Sequence, residues 1–269
     1  MTKVIIAGAA GRMGRRIGYM VNEQPELQVA AGFERPDSPD VGKDMGELGG
    51  YGSNGVMVAD DLAAVIDQGD VIIDFTFHEA TMKIARQAAQ KNRAMVIGTT
   101  GLSQENLQEL TELCNNFPCV QAPNMAVGVN VLFKLAAKVA SILGNDYDME
   151  IMEAHHRMKK DAPSGTAMKL GEVMAQAVGR NLDEDGVFSR HGIIGERTDT
   201  EIGLQTIRAG DIVGEHTVYF AGAGERLELT HRAHSRDNFA RGAALAAAWV
   251  YEKPNGLYNM FDVLDLQDI

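Results

Sequence analysis

The chain has 269 residues and a formal net charge of −12 at pH 7, from 25 Lys and Arg against 37 Asp and Glu. This charge argues against a dedicated role on nucleic acid or anionic membranes, because both repel an acidic surface. Hydrophobic residues at 45% and charged residues at 23% are usual for a globular protein, which excludes disordered and fibrous classes.

Residues 3–122 alternate short apolar runs with longer segments of helical spacing. The runs predict five buried strands, over residues 4–7, 27–33, 71–75, 94–97 and 119–122. The helical segments between them, such as residues 103–115, indicate βαβ crossovers with parallel strands. The pattern therefore predicts an α/β fold with a Rossmann-type doubly wound parallel sheet.

The pattern changes near residue 124. Helices are predicted over 129–143, 165–178 and 238–251, and strands over 147–154, 202–208, 215–220 and 226–231. Short glycine-containing turns join the last three strands, which indicates antiparallel neighbours. Residues 181–199 lack periodicity and are predicted to form a loop. We expect a smaller α+β domain with a mixed or antiparallel sheet.

Two features bear on cellular location. Cys114 and Cys119 are the only cysteines, and their spacing suits neither a redox pair nor a zinc site, so we interpret them as buried thiols in a reducing compartment. The N-terminus lacks a long apolar segment of the secretory kind, and no run of 18 apolar residues occurs. We therefore expect a cytoplasmic protein.

The first predicted strand runs into a glycine-rich segment, Gly8, Ala9, Ala10, Gly11, Arg12, Met13 and Gly14. A tight turn with free amides at a helix N-terminus suits a dinucleotide pyrophosphate, although the same glycines would also pack a helix on a strand. Glu34 follows Gly14 by about the 20 residues expected for a carboxylate that binds the cofactor ribose, which favours binding. Arg35 comes next and suits the 2′-phosphate of NADPH, so NADH and NADPH both stay open.

Two later loops follow predicted parallel strands at their carboxyl ends, where open α/β sheets bind ligands. They are Gly98-Thr99-Thr100-Gly101 and Ala122-Pro123-Asn124-Met125. The first is small enough to approach the nicotinamide ribose, and Asn124 is a candidate for holding the carboxamide. Ordinary strand-to-helix turns have the same composition, which leaves a purely structural role open.

The strongest chemical signal is His155-His156-Arg157-Met158-Lys159-Lys160-Asp161-Ala162-Pro163-Ser164-Gly165-Thr166. Three permanent cations within six residues of an acidic protein indicate an anion site. Ser164 is placed to cap a helix whose first amides, at Gly165 and Thr166, attract a carboxylate. His155 and Lys159 are candidates for proton donation and carboxylate binding. A solvated basic loop is the structural alternative, and no metal site is expected because adjacent histidines diverge.

Together these motifs resemble the 4-hydroxy-tetrahydrodipicolinate reductase family, also called dihydrodipicolinate reductases. The resemblance covers nearly the whole chain and rests on Gly8-x-x-Gly11-Arg12-Met13-Gly14, Gly98-Thr99-Thr100-Gly101, Glu153-Ala154-His155-His156-Arg157, Lys159-x-Asp161-Ala162-Pro163-Ser164-Gly165-Thr166 and Arg208-Ala209-Gly210-Asp211-x-x-Gly214-Glu215-His216. It implies an enzyme of diaminopimelate and lysine biosynthesis that reduces a small cyclic dicarboxylate with NADH or NADPH.

The resemblance also implies roles for individual residues. His155 would be the principal proton donor, and Lys159 a second acid and a substrate contact. Further substrate contacts would be His156, Ser164, Gly165 and Thr166. The cofactor positions would be Gly8, Ala9, Ala10, Gly11, Arg12, Met13, Glu34, Arg35, Gly98, Thr99, Thr100, Ala122, Pro123, Asn124 and Met125. Hydride addition to the substrate ring leaves charge that cations stabilise and an acid discharges.

The family further implies a dinucleotide-binding domain of residues 1–126 and 237–269, and a substrate-binding and oligomerisation domain of residues 127–236. It implies a homotetramer joined through the sheet of the second domain. Ala10, Pro123 and Met125 depart from the commonest family pattern, and Met125 leaves the packing around the nicotinamide open.

Two rival functions are weaker. A Rossmann enzyme of the aspartate-semialdehyde dehydrogenase kind needs a nucleophilic cysteine beside a base, and neither Cys114 nor Cys119 has a histidine nearby in sequence. A nonenzymatic NAD(P)-sensing regulator would leave the segment 155–166 unexplained.

Overall fold

The computed structural model describes every residue from 1 to 269. Contacts divide the chain into two compact units. The first unit comprises Met1–Val127 and Arg236–Asp265, and the second comprises Gly128–Ser235 and Leu266–Ile269.

Twelve strands and nine α-helices form the two units. The strands are β1 (Thr2–Ala7), β2 (Leu27–Phe33), β3 (Val58–Ala59), β4 (Val71–Asp74), β5 (Ala94–Ile97), β6 (Pro118–Gln121), β7 (Asp148–His155), β8 (Gly186–Val187), β9 (Ile202–Arg208), β10 (Gly214–Gly222), β11 (Glu225–Ala233) and β12 (Gly256–Tyr258). The helices are α1 (Arg12–Asn22), α2 (Met45–Gly49), α3 (His78–Lys91), α4 (Gln104–Leu113), α5 (Val127–Leu143), α6 (Gly165–Ala177), α7 (Leu182–Asp185), α8 (Asp237–Val250) and α9 (Met260–Val263).

The first unit is built on a seven-stranded sheet in the order β12-β6-β5-β4-β1-β2-β3, with every neighbouring pair parallel. Successive side chains of a strand point to opposite faces of the sheet, and here both faces are buried. Val4 and Ile6 of β1 join one core, whereas Ile5 and Ala7 join the other. The expected α/β, Rossmann-type sheet is confirmed. The short edge strands β3 and β12 were not predicted, since two or three residues carry no periodicity.

The two cysteines lie in the first unit, and both are buried and free, as expected. Burial holds the pKa of Cys119 well above its ordinary value, so its thiol stays protonated. These residues therefore act as small apolar side chains of the core.

The second unit has a five-stranded mixed sheet in the order β11-β10-β7-β9-β8. Strand β10 is antiparallel to β11 and to β7, whereas β7 and β9 are parallel. The expectation that β9 and β10 are antiparallel neighbours is wrong, because β7 lies between them. β7 carries the buried side chains Met149 and Ile151 and occupies the centre, and α6 lies on the connection to its parallel partner β9.

The segment predicted as a loop, residues 181–199, also contains regular structure. Asn181 caps the short helix α7 by accepting a hydrogen bond from the amide of Asp183. The two residues after this helix, Gly186 and Val187, form strand β8 and pair with β9. The periodicity of both elements is too short to register in the sequence. Residues 188–199 are irregular, as expected.

Helix α5 and the turn after it, Val127–Asp146, are long and apolar enough to cross a membrane by length and composition alone. Inspection for an uninterrupted apolar run misses this segment because Lys134 and Lys138 divide it. A core helix of a soluble protein passes the same test, and a third of the most apolar window is buried inside the protein.

Candidate functional site

The glycine-rich turn lies between β1 and α1 at the carboxyl end of the first sheet. Gly8 has φ of +65°, a left-handed conformation that favours glycine. A side chain on Gly14 would overlap the carbonyl oxygen of Gly8, so glycine there lets α1 approach the turn closely. Gly11 is the N-cap of α1 and supplies no side-chain bond, and the amides that open the helix, at Arg12 and Met13, have no intrahelical acceptor. This geometry fits a pyrophosphate.

Glu34 connects this turn to the end of β2. Its Oε1 atom accepts a hydrogen bond of 3.0 Å from the amide of Ala10. Arg35 is exposed and pairs with Asp37 at 3.1 Å. The predicted ribose and phosphate contacts therefore lie beside the turn, although one oxygen of Glu34 already holds the backbone.

A cavity of about 340 Å³ joins these residues to the ends of neighbouring strands. It is lined by Gly8, Phe33, Glu34, Arg35, Pro36, Asp60, Asp61, Leu62, Thr76, Ala80, Lys83, Ile84 and Gln87. Its place at the carboxyl ends of β1, β2 and β4 is where a doubly wound sheet binds the adenosine half of a dinucleotide. Sequence reasoning missed Lys83, a second cation on α3 that lines the same cavity as Arg35.

A second cavity of the first unit, of about 300 Å³, joins other predicted cofactor positions. It is lined by Arg12, Met13, Phe75, Gly98, Pro123, Asn124, Met125, Arg236 and Phe239. The turn after β1 and the loops after β5 and β6 are thus brought together. Phe75, Arg236 and Phe239 were not predicted, and the last two come from the chain just before and within α8, too far along the sequence for a motif to reveal.

Six predicted cofactor positions do not line either cavity: Ala9, Ala10, Gly11, Thr99, Thr100 and Ala122. Thr99 and Ala122 are buried, and Thr100 is exposed. The Thr99 hydroxyl lies 3.4 Å from the buried carboxylate of Asp74, which also accepts hydrogen bonds from the amide and hydroxyl of Thr76 and from the hydroxyl of Thr81. Asp74 therefore ties the loop after β5 to Thr76 of the first cavity, and burial raises the pKa of this carboxyl.

The predicted basic segment of the second unit begins at the end of β7, where a buried carboxylate organises it. Glu153 is 1% exposed, and its Oε2 atom lies 2.6 Å from Nδ1 of His155. The guanidinium of Arg208 makes two bonds of 2.8 Å to the same carboxylate. Burial alone would raise the pKa of Glu153, but hydrogen bonds from His155 and Arg208 outweigh it and hold that pKa at about 2. The carboxylate is therefore ionised at neutral pH.

Ser164 caps α6, as expected, with its hydroxyl accepting the amide of Ala167 at 3.1 Å. The same hydroxyl lies 3.0 Å from Nε2 of His216, and both side chains are buried. Burial, with the nearby His155, lowers the pKa of His216 to about 3, so this ring is neutral. Ser164 is thus already bonded inside the protein, whereas Gly165 is exposed at the start of the helix.

The remaining residues of the basic segment have different surroundings. Lys159 pairs with Asp161 at 2.8 Å, and its side chain is about one-fifth exposed. His156 has a buried Nδ1 atom without a hydrogen-bond partner. Arg157 and Lys160 are exposed. The segment is therefore less cationic than its sequence suggests, because Glu153 and Asp161, which flank residues 155–160, contact His155 and Lys159.

Sequence reasoning gave no role to Glu153, Arg208 or His216, although all three belong to motifs that it quoted. One signal was available for Glu153, because residues two apart on a strand share a face and His155 follows at that spacing. Arg208 and His216 lie on β9 and β10, and only the sheet order brings them to β7.

Comparisons with known proteins cover the whole chain. Residues 2–125 match the model of the dihydrodipicolinate reductase N-terminus, and residues 128–264 match that of the dihydrodipicolinate reductase C-terminus. The 4-hydroxy-tetrahydrodipicolinate reductase of Desulfotalea psychrophila is 66% identical over 269 residues, the full length of both chains. That of Syntrophus aciditrophicus is 55% identical over 264 residues, 98% of each chain.

Solved structures agree with these matches. The dipicolinate-bound dihydrodipicolinate reductase from Paenisporosarcina sp. TG-14 has a TM-score of 0.75 and 28% identity, with 97% of this chain and 98% of that chain covered. An amine dehydrogenase from Mycobacterium smegmatis, at 14% identity and a TM-score of 0.60 over 96% and 95% of the two chains, shares the fold alone. The resemblance seen in the sequence motifs is confirmed, and the chain belongs to the dihydrodipicolinate reductase family of NAD(P)H-dependent oxidoreductases.

Proposed function

We propose that this chain reduces 4-hydroxy-tetrahydrodipicolinate to tetrahydrodipicolinate in lysine biosynthesis, with NADH or NADPH as reductant and His155 as proton donor. The observation that carries the proposal is a partly exposed histidine fixed by a buried carboxylate beside the capped start of α6. Family membership supports the reaction class. The dipicolinate named with the Paenisporosarcina enzyme supports a small cyclic dicarboxylate as substrate.

The first unit is proposed to bind the dinucleotide. The amides of Arg12 and Met13 would hold the pyrophosphate, Glu34 and Arg35 would bind the adenosine ribose, and Asn124 would orient the nicotinamide carboxamide. The remaining proposed contacts are Gly8, Ala9, Ala10, Gly11, Gly98, Thr99, Thr100, Ala122, Pro123 and Met125, with Thr99 and Ala122 contributing backbone atoms because their side chains are buried. A bound NADH or NADPH supplies the hydride.

The second unit is proposed to bind the substrate. Lys159 and the amides of Gly165 and Thr166 would hold a carboxylate, with His156 as a further contact. Ser164 would act by fixing the start of α6, since its hydroxyl is already bonded to the Ala167 amide.

The proton balance gives His155 its task. Replacing the 4-hydroxyl of the substrate by hydrogen consumes one hydride and one proton and releases one water. His155 would supply the proton, and Lys159 would stabilise negative charge that develops on the ring. Asp161, at 2.8 Å from Lys159, holds this ammonium near the site.

The test is a reduced-nicotinamide absorbance assay with enzymatically generated substrate. We expect turnover with NADH, NADPH or both. His155→Gln and Lys159→Ala should each lower kcat by about 10²- to 10⁴-fold, the usual contribution of a general acid. Nucleotide binding should persist in both variants because the proposed nucleotide contacts are all in the first unit. Absence of turnover by the wild-type protein with either nucleotide would refute the proposed reaction.

Two further properties belong to the proposal. We propose a cytoplasmic protein, consistent with its two free, buried cysteines. We also propose a homotetramer joined through the sheet of the second unit, whose edge strand β11 has mostly exposed side chains. Sedimentation should then give about four times the 29.1 kDa chain mass.

A further inference from the structure

The buried carboxylate of Glu153 has more partners than a structural ion pair needs. Its Oε2 atom contacts His155 Nδ1 at 2.6 Å and Arg208 Nη1 at 2.8 Å. Its Oε1 atom accepts from Arg208 Nη2 at 2.8 Å, from the amide of Ser164 at 3.0 Å and from the Thr206 hydroxyl at 3.3 Å. Four neighbouring groups, from β7, β9 and the start of α6, thus converge on one buried anion.

The positive charges around this carboxylate favour its ionised form. Arg208 is a permanent cation and also donates to the carbonyl oxygen of Asp161 at 2.6 Å. His216, on β10, packs edge-on against the His155 ring with centroids 5.3 Å apart and is neutral because it is buried. Lys159 adds a further positive charge that acts on His216. A carboxylate in these surroundings can only accept hydrogen bonds.

An acceptor 2.6 Å from Nδ1 decides where the hydrogen of the neutral His155 ring lies. Nδ1 must carry it and donate to Glu153, so Nε2 is the nitrogen that gains and releases the exchangeable proton. A side chain on Gly214 would lie 3.1 Å from Nε2, so glycine at this position keeps a side chain away from that nitrogen.

We propose that Glu153 is a positioning residue for the reduction: it holds a hydrogen on Nδ1 of His155 and thereby presents Nε2 as the proton donor. Arg208 keeps Glu153 ionised, and the His216 ring fixes the plane of His155. The inference rests on the proposed role of His155 as acid. It assigns Glu153 no contact with substrate.

The chain contains a matched control for Glu153. Glu150 lies on the same strand and is likewise held by a two-pronged arginine, Arg190, with bonds of 2.7 and 2.8 Å, but it contacts no histidine. Glu153→Gln and Glu150→Gln therefore each remove the charge of a β7 carboxylate that is paired with an arginine. Only the first replaces the carboxylate beside His155 Nδ1 by an amide, which can donate as well as accept and therefore no longer fixes the ring hydrogen on Nδ1.

We expect Glu153→Gln to lower kcat about 10- to 100-fold, the usual effect of losing the partner that orients a functional histidine, with the substrate KM changed less than threefold. Glu150→Gln should keep kcat within about twofold of wild type. A kcat unchanged in Glu153→Gln, or lowered equally in both variants, would overturn the proposal.

A second measurement needs neither substrate nor a folded variant of Glu153. In ¹⁵N-histidine spectra of the wild-type protein at alkaline pH, the His155 signal, identified by its loss in His155→Gln, should show the Nδ1-protonated tautomer. An Nε2-protonated ring would overturn the role of Glu153 whatever the enzyme assay gives. A third outcome separates the two proposals. If the tautomer is as expected and His155→Gln turns over as fast as the wild-type protein, the role of His155 as proton donor is refuted.

Discussion

At the scale of single residues, the cavity beside Glu34 holds groups that suit either proposed nucleotide, NADH or NADPH. One carboxylate oxygen of Glu34 accepts a hydrogen bond from the amide of Ala10, and Arg35 forms an ion pair with Asp37. Lys83 lines the same cavity and adds a positive charge. A 2′-phosphate would meet two cations here, whereas a 2′-hydroxyl would meet the free oxygen of Glu34.

We predict that Arg35→Ala weakens NADPH binding about tenfold while NADH binding changes less than twofold, because only the phosphate needs the guanidinium. Asp37→Asn is the matched variant, since it releases Arg35 from its ion pair and should leave NADPH affinity unchanged or higher. Fluorescence titration with each nucleotide measures both. Equal weakening of the two nucleotides by Arg35→Ala would remove this residue from the 2′-phosphate site.

Sequence reasoning at this scale depends on residues that lie close together along the chain. His155, Lys159 and Ser164 were predicted as site residues because they fall within the one short segment 155–166. Glu153 was given no role because it lies just before that segment, in a strand that also contains Asp148 and Glu150. His216 and Arg208 depend on partners more than 50 residues away, and no local pattern identifies such pairs.

At the scale of elements, helices α1 and α6 both begin at candidate anion sites but use glycine differently. Gly14 of α1 touches the backbone of the preceding turn, so the protein itself requires glycine there. Gly165 opens α6, and an added Cβ would meet nothing within 4 Å. The empty space beside Gly165 is therefore available to a ligand.

We predict opposite outcomes for alanine at these two positions. Gly14→Ala should cost about 1–3 kcal/mol of unfolding free energy through overpacking. Gly165→Ala should leave stability unchanged or raise it by up to about 1 kcal/mol, since alanine restricts the unfolded chain. It should nevertheless raise the substrate KM about tenfold. Urea denaturation and steady-state kinetics separate the effects, and an unchanged KM in Gly165→Ala would exclude close approach of substrate to this amide.

Element boundaries were largely predictable, and sheet neighbours were predicted only in part, because β10 pairs with β11 as expected but not with β9. The strand over residues 202–208 and the four-residue strand over 94–97 match the structure, because their apolar pattern is bounded by turn residues. The order β10-β7-β9 was missed because β7 is separated from β9 by α6 and joins two strands that are consecutive in sequence. Turn length indicates which strands are adjacent only when no third strand lies between them.

At the scale of the whole molecule, two buried titrating groups make stability depend on pH. The pKa of His216 is about 3 in the folded protein against 6.5 for an ordinary histidine, so the unfolded chain binds the extra proton first as pH falls. The pKa of Glu153 is about 2 against 4.5, and its contribution is also lost in acid, below pH 4.5. Both groups therefore favour the unfolded chain as pH decreases.

We predict that the unfolding free energy falls by about 2 kcal/mol from pH 7 to pH 5 because of His216 alone. Over this range the His216 side chain is protonated in the unfolded chain but stays neutral in the folded protein. His216→Gln should flatten this dependence. His191→Gln, at an exposed histidine of the same unit, should keep the wild-type slope. Urea midpoints at the two pH values measure it, and identical slopes in all three proteins would contradict the neutral, buried state of His216.

The central place of β7 also has a consequence for the order of events in folding. The bonds that organise His155 join Glu153 to Thr206 and Arg208 across 53 and 55 residues, and Ser164 to His216 across 52. Closing loops of this length is slow relative to forming the local helices between them. A refolding chain should regain its helical circular dichroism before its activity, because the surroundings of the proposed proton donor form only when distant strands meet.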